Sequence, residues 1–260
     1  MNEPTDESIT LLMALGFERN QVVQALKSTG GNVEQAANTL LSPAPHTFSP
    51  SNDHGVDLLV SDPPIQGSVS QYDLPDGRSA CSCIALAAAA AFLENPSVPI
   101  LPQFLDAAVR DGHATYLQWK TSSGLATEHS SPEEVLNLFP RIQLDGAVRQ
   151  GLLPTWEPIL RECASSSTSW TAAVITKPPE TILVLLSPDR YWIVDSHSRP
   201  PRTTAAWAQS FSTLPALCAA LSQLFPATLL PDVPDTMLMM YNSFDLYHLT
   251  KCPQDDATGG

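Results

Sequence analysis

The chain has 260 residues, 43% of them apolar and 15% charged, and 13 Lys+Arg against 27 Asp+Glu give it a formal charge of −14 at pH 7. That length accommodates one small module and one catalytic-size domain, and the acidic balance excludes the basic footprint that nucleic-acid phosphates require. Five cysteines, at 81, 83, 163, 218 and 252, are odd in number and irregular in spacing, and no secretory signal precedes the first helix, so a disulfide framework is not expected and a reducing, cytoplasmic or nucleocytoplasmic compartment is.

In chain order, Ile9, Leu12 and Met13 fall at i, i+3 and i+4 and predict a first helix that stops at Gly16. Val22, Val23 and Leu26 give a second short stripe, closed by Thr29-Gly30-Gly31, residues that tolerate positive φ. Asn32 caps a third helix, with Gln35 completing a capping-box pattern and Val33, Ala36, Ala37, Leu40 and Leu41 forming its apolar face. The segments Met13-Ala14-Leu15-Gly16-Phe17-Glu18-Arg19, Ala25-Leu26, Gly31-Asn32-Val33-Glu34-Gln35-Ala36 and Leu40-Leu41 resemble a ubiquitin-associated (UBA) domain. The resemblance implies a surface for the hydrophobic patch of ubiquitin, made by Leu15, Gly16 and Phe17 and by Leu40 and Leu41, with ubiquitin and polyubiquitin chains as partners. The alternative is that Phe17 and Leu40 only fill the bundle core or dock on a neighbouring domain. So small a bundle, however, cannot bury all its apolar residues. After residue 42 the composition turns to Pro and Ser, and 43–60 reads as an extended linker.

The turn-rich stretch from Gln71 to Ala80 leads into Ala80-Cys81-Ser82-Cys83-Ile84-Ala85. A cysteine in the first turn of a helix meets unpaired N–H groups and the positive end of the dipole, which favour a thiolate. Cys81 fits that position, whereas Cys83 aligns with Leu86, Ala87 and Ala90 as an ordinary buried thiol. The apolar run Cys83 to Leu93 is too short to span a bilayer, so no membrane association is expected. No second Cys or His pair accompanies Cys-x-Cys at a ligand spacing, so no metal and no cofactor are expected. Phe104–Gly112, Ser131–Leu136 and Pro154–Cys163 read as further helices. Trp170–Thr176, Thr181–Leu186 and Tyr191–His197 then read as strands, with a turn at Ser187-Pro188-Asp189-Arg190. A helix over Leu214–Phe225 and a pair of strands within Met237–Thr250 complete an α+β domain at 61–252, like papain-type folds in which a nucleophile helix packs on an antiparallel sheet. Residues 253–260 read as a tail.

On the strand Tyr191–His197, alternation places Asp195 and His197 on one face about 7 Å apart, where the carboxylate can orient the imidazole and the imidazole can take the thiol proton. The bland reading is a strand-end Asp and His that turn the chain before Pro200-Pro201. The order Gln71, then Cys81 with Ala85, then Leu105-Asp106 with Gly112 and Tyr116, then Asp195-Ser196-His197 resembles the deubiquitinase domain of the herpesvirus large tegument protein and its cellular and bacterial relatives. That resemblance implies a papain-like cysteine peptidase in which Gln71 supplies an oxyanion donor, Cys81 attacks, and Asp195 and His197 complete the triad, with Gln66 as a second candidate donor. His248, with Asp76-Gly77 before Cys81, permits an ovarian-tumour-type site instead, while His46, His54, His113 and His129 read as surface residues. The functions left open are a thiol isopeptidase for ubiquitin, a non-catalytic ubiquitin adaptor on a protease-like fold, and a peptidase for a ubiquitin-like modifier.

Overall fold

The computed structural model describes residues 9, 19–29, 36, 62–123, 129–165, 169–229 and 233–253, and the chain divides into two compact units, Met1–Val56 and Asp57–Gly260. In the first, helix α1 (Arg19–Ser28) buries Val22, Ala25 and Leu26 against Ile9 and Ala36. This is the stripe expected of the second helix, and Val23 lies half-buried at its edge. Thr29 follows the helix, its hydroxyl donating to the Ala25 carbonyl at 2.9 Å. Leu15, Gly16, Phe17, Leu40 and Leu41 lie outside the described residues, as do the linker 43–60 and the tail from 254.

The second unit is an antiparallel sheet covered on both faces. Its elements are β1 (Ile65–Gln66), α2 (Cys81–Glu94), α3 (Pro102–Ser123), α4 (Pro132–Val135), β2 (Ile142–Leu144), β3 (Arg149–Leu152), α5 (Glu157–Ser165), β4 (Thr171–Lys177), β5 (Glu180–Leu186), β6 (Tyr191–Asp195), β7 (Trp207–Phe211), α6 (Leu214–Leu224), α7 (Asp235–Asn242) and β8 (Ser243–Lys251). The strand order is β1-β7-β6-β5-β4-β8-β2, with β3 also paired to β8. Val174, Leu183, Leu185 and Val194 face α2 and α3, whereas Ala173, Ile175, Ile182 and Val184 face α5 and α6. Because helices cover both faces, β4 and β5 lack the apolar-polar alternation of a half-exposed sheet.

Helix α2 is mostly Ala, Leu and Ile and buried over most of its length. Its small side chains let α3 cross closely: a Cβ on Gly112 would run into the backbone of Ile84. Gly112 therefore does not end a helix but sits inside α3 at the crossing, where Tyr116 and Leu105 are buried on the same side. Replacing Gly112 with Ala should destabilise the domain by about 2–3 kcal/mol in denaturant melts, because backbone rather than a side-chain tip must move.

The structure corrects three expectations. Met237–Thr250 holds not two strands but α7 followed by the single strand β8; Met and Leu at 237–240 are good helix formers, and the long β8 pairs β4 along one edge and β2 and β3 along the other. Strand β6 ends at Asp195 rather than at His197. His113 is buried rather than on the surface, its Nε2 donating to the Pro75 carbonyl at 2.6 Å. All five cysteines are free thiols, and no helix among the described residues is long and apolar enough to cross a membrane.

Candidate active site

The site is assembled at the start of α2. The loop before it folds through two short 3-10 turns, Gln71–Asp73 and Gly77–Ser79. Gly77 is required there because any Cβ would strike the Gln71 carbonyl, and Asp76 before it takes the left-handed conformation with φ 57. The Ser70 N–H and hydroxyl both donate to Asp73, at 2.7 and 3.0 Å. Asp106 on α3 accepts from the Ser68 N–H at 2.6 Å, the Ser68 hydroxyl at 2.7 Å and the Val69 N–H at 3.2 Å, so both ends of the approach to Gln71 are fixed.

Cys81 is the first residue of α2 and 4% exposed, and its thiol feels the charge and polar groups of His197 and Thr181. The next residue, Ser82, donates to the Ser130 carbonyl at 2.7 Å and lies 3.3 Å from the Thr181 hydroxyl. Together these contacts pin the first helical turn to β5. Beyond β6 the chain turns so that Asp195 Oδ1 accepts both the His197 backbone N–H at 2.9 Å and His197 Nδ1 at 2.5 Å. The Asp-His contact is thus a local turn closing on itself rather than strand alternation, and it leaves Nε2 of the ring for the Cys81 thiol.

Electrostatics follow from burial and charge together. Burial pushes the Cys81 thiol up, but the hydrogen bond and charge of His197, with the Thr181 bonds, bring it below its ordinary value. Burial pulls the His197 imidazole down, and the charge and hydrogen bond of Asp195, the Cys81 contact and Glu180 more than reverse this, raising it to about 10. Burial raises Asp195, but Arg199 and His197 hold it down at about 2. For Cys83 burial dominates: although Ser130 lowers it, its thiol is pushed up to about 12. Of the two neighbouring cysteines, Cys81 is the one whose thiol His197 lowers, and Cys83 packs in the core.

Gln71 is fully buried. The Ser196 hydroxyl donates to its Oε1 at 2.6 Å, its own N–H donates to the Ser196 carbonyl at 3.0 Å, and its Nε2 donates one hydrogen to the Arg78 carbonyl at 3.2 Å. These bonds fix which way the amide faces and stitch the loop to the turn carrying His197. Gln66 lies in β1, its Oε1 accepting the Thr204 N–H at 3.2 Å, and is not part of this network. His248 stands opposite Ala173, on the sheet face away from α2, with Nδ1 3.2 Å from Asp145 Oδ2 without hydrogen-bond alignment. It does not meet Cys81.

Four further residues complete the site. Tyr72, 46% exposed, tilts over the His197 ring with centroids 5.7 Å apart. Thr181 helps to lower the Cys81 thiol. Arg199 and Glu180 stand behind Asp195. The one signal of them in the sequence was Arg199, which follows His197 at the spacing at which His197 follows Asp195.

Residues 4–40 match the UBA/TS-N domain family. Proteins named ubiquitin carboxyl-terminal hydrolase 13 from Bos taurus and Homo sapiens are each 39% identical over 41 residues, which is 16% of this chain but only 5% of theirs. In fold, the chain is similar to the ubiquitin-specific protease encoded by murine cytomegalovirus tegument protein M48, solved in complex with a ubiquitin-based suicide substrate, with TM-score 0.53 and 14% identity over 74% of this chain and 88% of that one. The Pseudomonas avirulence protein AvrPphB gives a TM-score of 0.39 at 10% identity over 64% of this chain and 91% of that one. The chain therefore carries an N-terminal UBA domain and, after it, a domain of papain-like cysteine peptidase fold.

Proposed function

We propose that this protein is a thiol-dependent deubiquitinase, an isopeptidase that cleaves after the C-terminal glycine of ubiquitin, and that its UBA domain binds ubiquitin in cis. The observation that carries the reading is the buried Asp195–His197 pair, together with Cys81 at the first position of a buried helix, its thiol lowered by that imidazole. The fold shared with a ubiquitin-specific protease and the UBA domain support ubiquitin as the substrate. In the reaction, the Cys81 thiolate attacks the carbonyl carbon of the glycine, and the oxyanion is met by the second Nε2–H of Gln71 and the unpaired N–H groups of the first turn of α2. The His197 imidazolium gives its proton to the departing lysine amine as the C–N bond breaks, leaving a thioester. His197, now neutral, then takes a proton from water, which attacks the thioester and releases the ubiquitin carboxylate and the Cys81 thiol.

Release of a fluorophore from the C-terminus of mono-ubiquitin, together with cleavage of ubiquitin chains, tests both halves. Phe17→Ala with Leu40→Ala should weaken action on chains while sparing the mono-ubiquitin substrate. A flexible linker of about 20 residues reaches roughly 25 Å and adds avidity only where two ubiquitins are present. Equal loss on both substrates in a folded variant would place the module inside the catalytic machinery instead.

A further inference from the structure

Asp195 does not face His197 alone. Its Oδ1 is taken by His197, and its Oδ2 accepts from Arg199 Nε at 3.0 Å, with Arg199 Nη2 at 2.9 Å. The outer edge of the same guanidinium forks onto Glu180, Nη1 to Oε1 at 3.0 Å and Nη2 to Oε2 at 2.7 Å. Arg199 is fixed from its own backbone, whose N–H donates to the carbonyl and hydroxyl of Thr203, each at 3.0 Å. Glu180 is the first residue of β5, opposite Lys177 across the β4–β5 hairpin. Asp195 is fully buried, whereas the side chains of Arg199 and Glu180 are 22% and 25% exposed, so the ion pair forms the wall between the site and solvent.

A buried carboxylate between two cations stays ionised, but an arginine alone behind it would cancel the field it exerts on the imidazole. We propose that Arg199 and Glu180 are positioning residues for the reaction at Cys81: Arg199 orients Asp195 and keeps it an anion, and Glu180 cancels the charge of Arg199 so that His197 faces one net negative charge. This rests on the thiol chemistry proposed above. The charges of Asp195, Arg199 and Glu180 sum to −1, the value an isolated aspartate would supply, while the fork geometry fixes the aspartate as no isolated residue could. Lysine cannot replace Arg199, because one ammonium cannot engage both carboxylates through separate edges. The other titratable groups around the pair are Cys81 and Tyr72 on the cleft side and Lys177 beside Glu180.

The test is the ionisation of His197 in histidine-labelled full-length protein, followed by NMR across pH and assigned by its disappearance in His197→Ala. It needs no substrate. Glu180→Gln leaves Arg199 uncompensated, so the His197 titration should fall by about one pH unit. In the double variant Glu180→Gln with Arg199→Met the net charge is again −1 and the titration should return towards that of the wild type, while kcat stays roughly ten- to hundredfold low because Asp195 has lost its orienting partner. An unmoved titration in Glu180→Gln, or a double variant shifted as far down as the single, would overturn the proposal. Failure of the deubiquitinase reading is separate: it would appear as no turnover of ubiquitin substrates by a wild type whose His197 titration still responds to Glu180→Gln.

Discussion

Cys81→Ala is expected to abolish cleavage of ubiquitin substrates, whereas Cys83→Ala should retain a substantial part of it. The two thiols are two residues apart, which on a helix turns them about 200° from one another, so only one can face the cleft. Cys81 is the first helical residue, and the charge of His197 holds its thiol below its ordinary value. Cys83 lies in the core among α2, α3 and the sheet, and its thiol is pushed up to about 12. Loss of so small a buried group costs on the order of 1 kcal/mol, visible in thermal melts rather than in turnover. Initial rates on a mono-ubiquitin fluorogenic substrate, measured on variants shown to be folded, decide the matter. Activity surviving in Cys81→Ala and lost in Cys83→Ala would reverse the assignment.

The second large effect concerns the base and its carboxylate. His197→Ala should lower kcat/KM by about 10⁴-fold, since both proton transfers are lost, and Asp195→Asn by on the order of 10²–10³-fold. The pH dependence carries the sign. The productive thiolate–imidazolium pair exists above the depressed thiol value of Cys81 and below the raised value of His197, so activity rises as the thiol ionises and falls as pH passes through about 10. The carboxylate is the main reason His197 lies so high, so Asp195→Asn should move the alkaline limb down towards the ordinary histidine range of about 6.5. An alkaline limb that stays in place in Asp195→Asn would mean that Asp195 is not what holds the imidazole charged. For folding, Asp195 is depressed to about 2, so its contribution to stability is present above the ordinary carboxylate range and is lost as pH falls towards about 2.

The elements legible in the sequence were those whose chemistry is local. A turn-rich stretch followed by Cys81 and a run of Ala, Leu and Ile could only be a loop entering a buried helix. The runs at 171–177, 180–186 and 191–195 are β-branched and aromatic enough to be read as strands. Strands β1, β2 and β3 escaped because two to four residues are too few to show a period, and they exist only by pairing with β7 and β8. In the site, Gln71 bonds Ser196 and Asp195 bonds His197; the place of Gln71 beside them was implied by the family resemblance, not by its spacing from Cys81. The contact between Asp195 and His197 was misjudged because Asp195 bonds the backbone N–H of His197, which turns the chain off the strand. Glu180 and Arg199 lie 19 residues apart on different elements, and neither has a local signature until the sheet brings β5 beside the end of β6. His113 looked like a surface residue on a polar helix because the Pro75 carbonyl that buries it comes from a loop 38 residues earlier.

The most direct test is to incubate the full-length protein with ubiquitin carrying a C-terminal electrophilic warhead and to map the adduct by mass spectrometry. A single ubiquitin joined through the Cys81 sulfur, absent after His197→Ala within the same labelling time, is the expected result. A folded wild type that binds ubiquitin but forms no adduct, or one that carries it on another cysteine, would contradict the assignment of Cys81 as a nucleophile directed at ubiquitin.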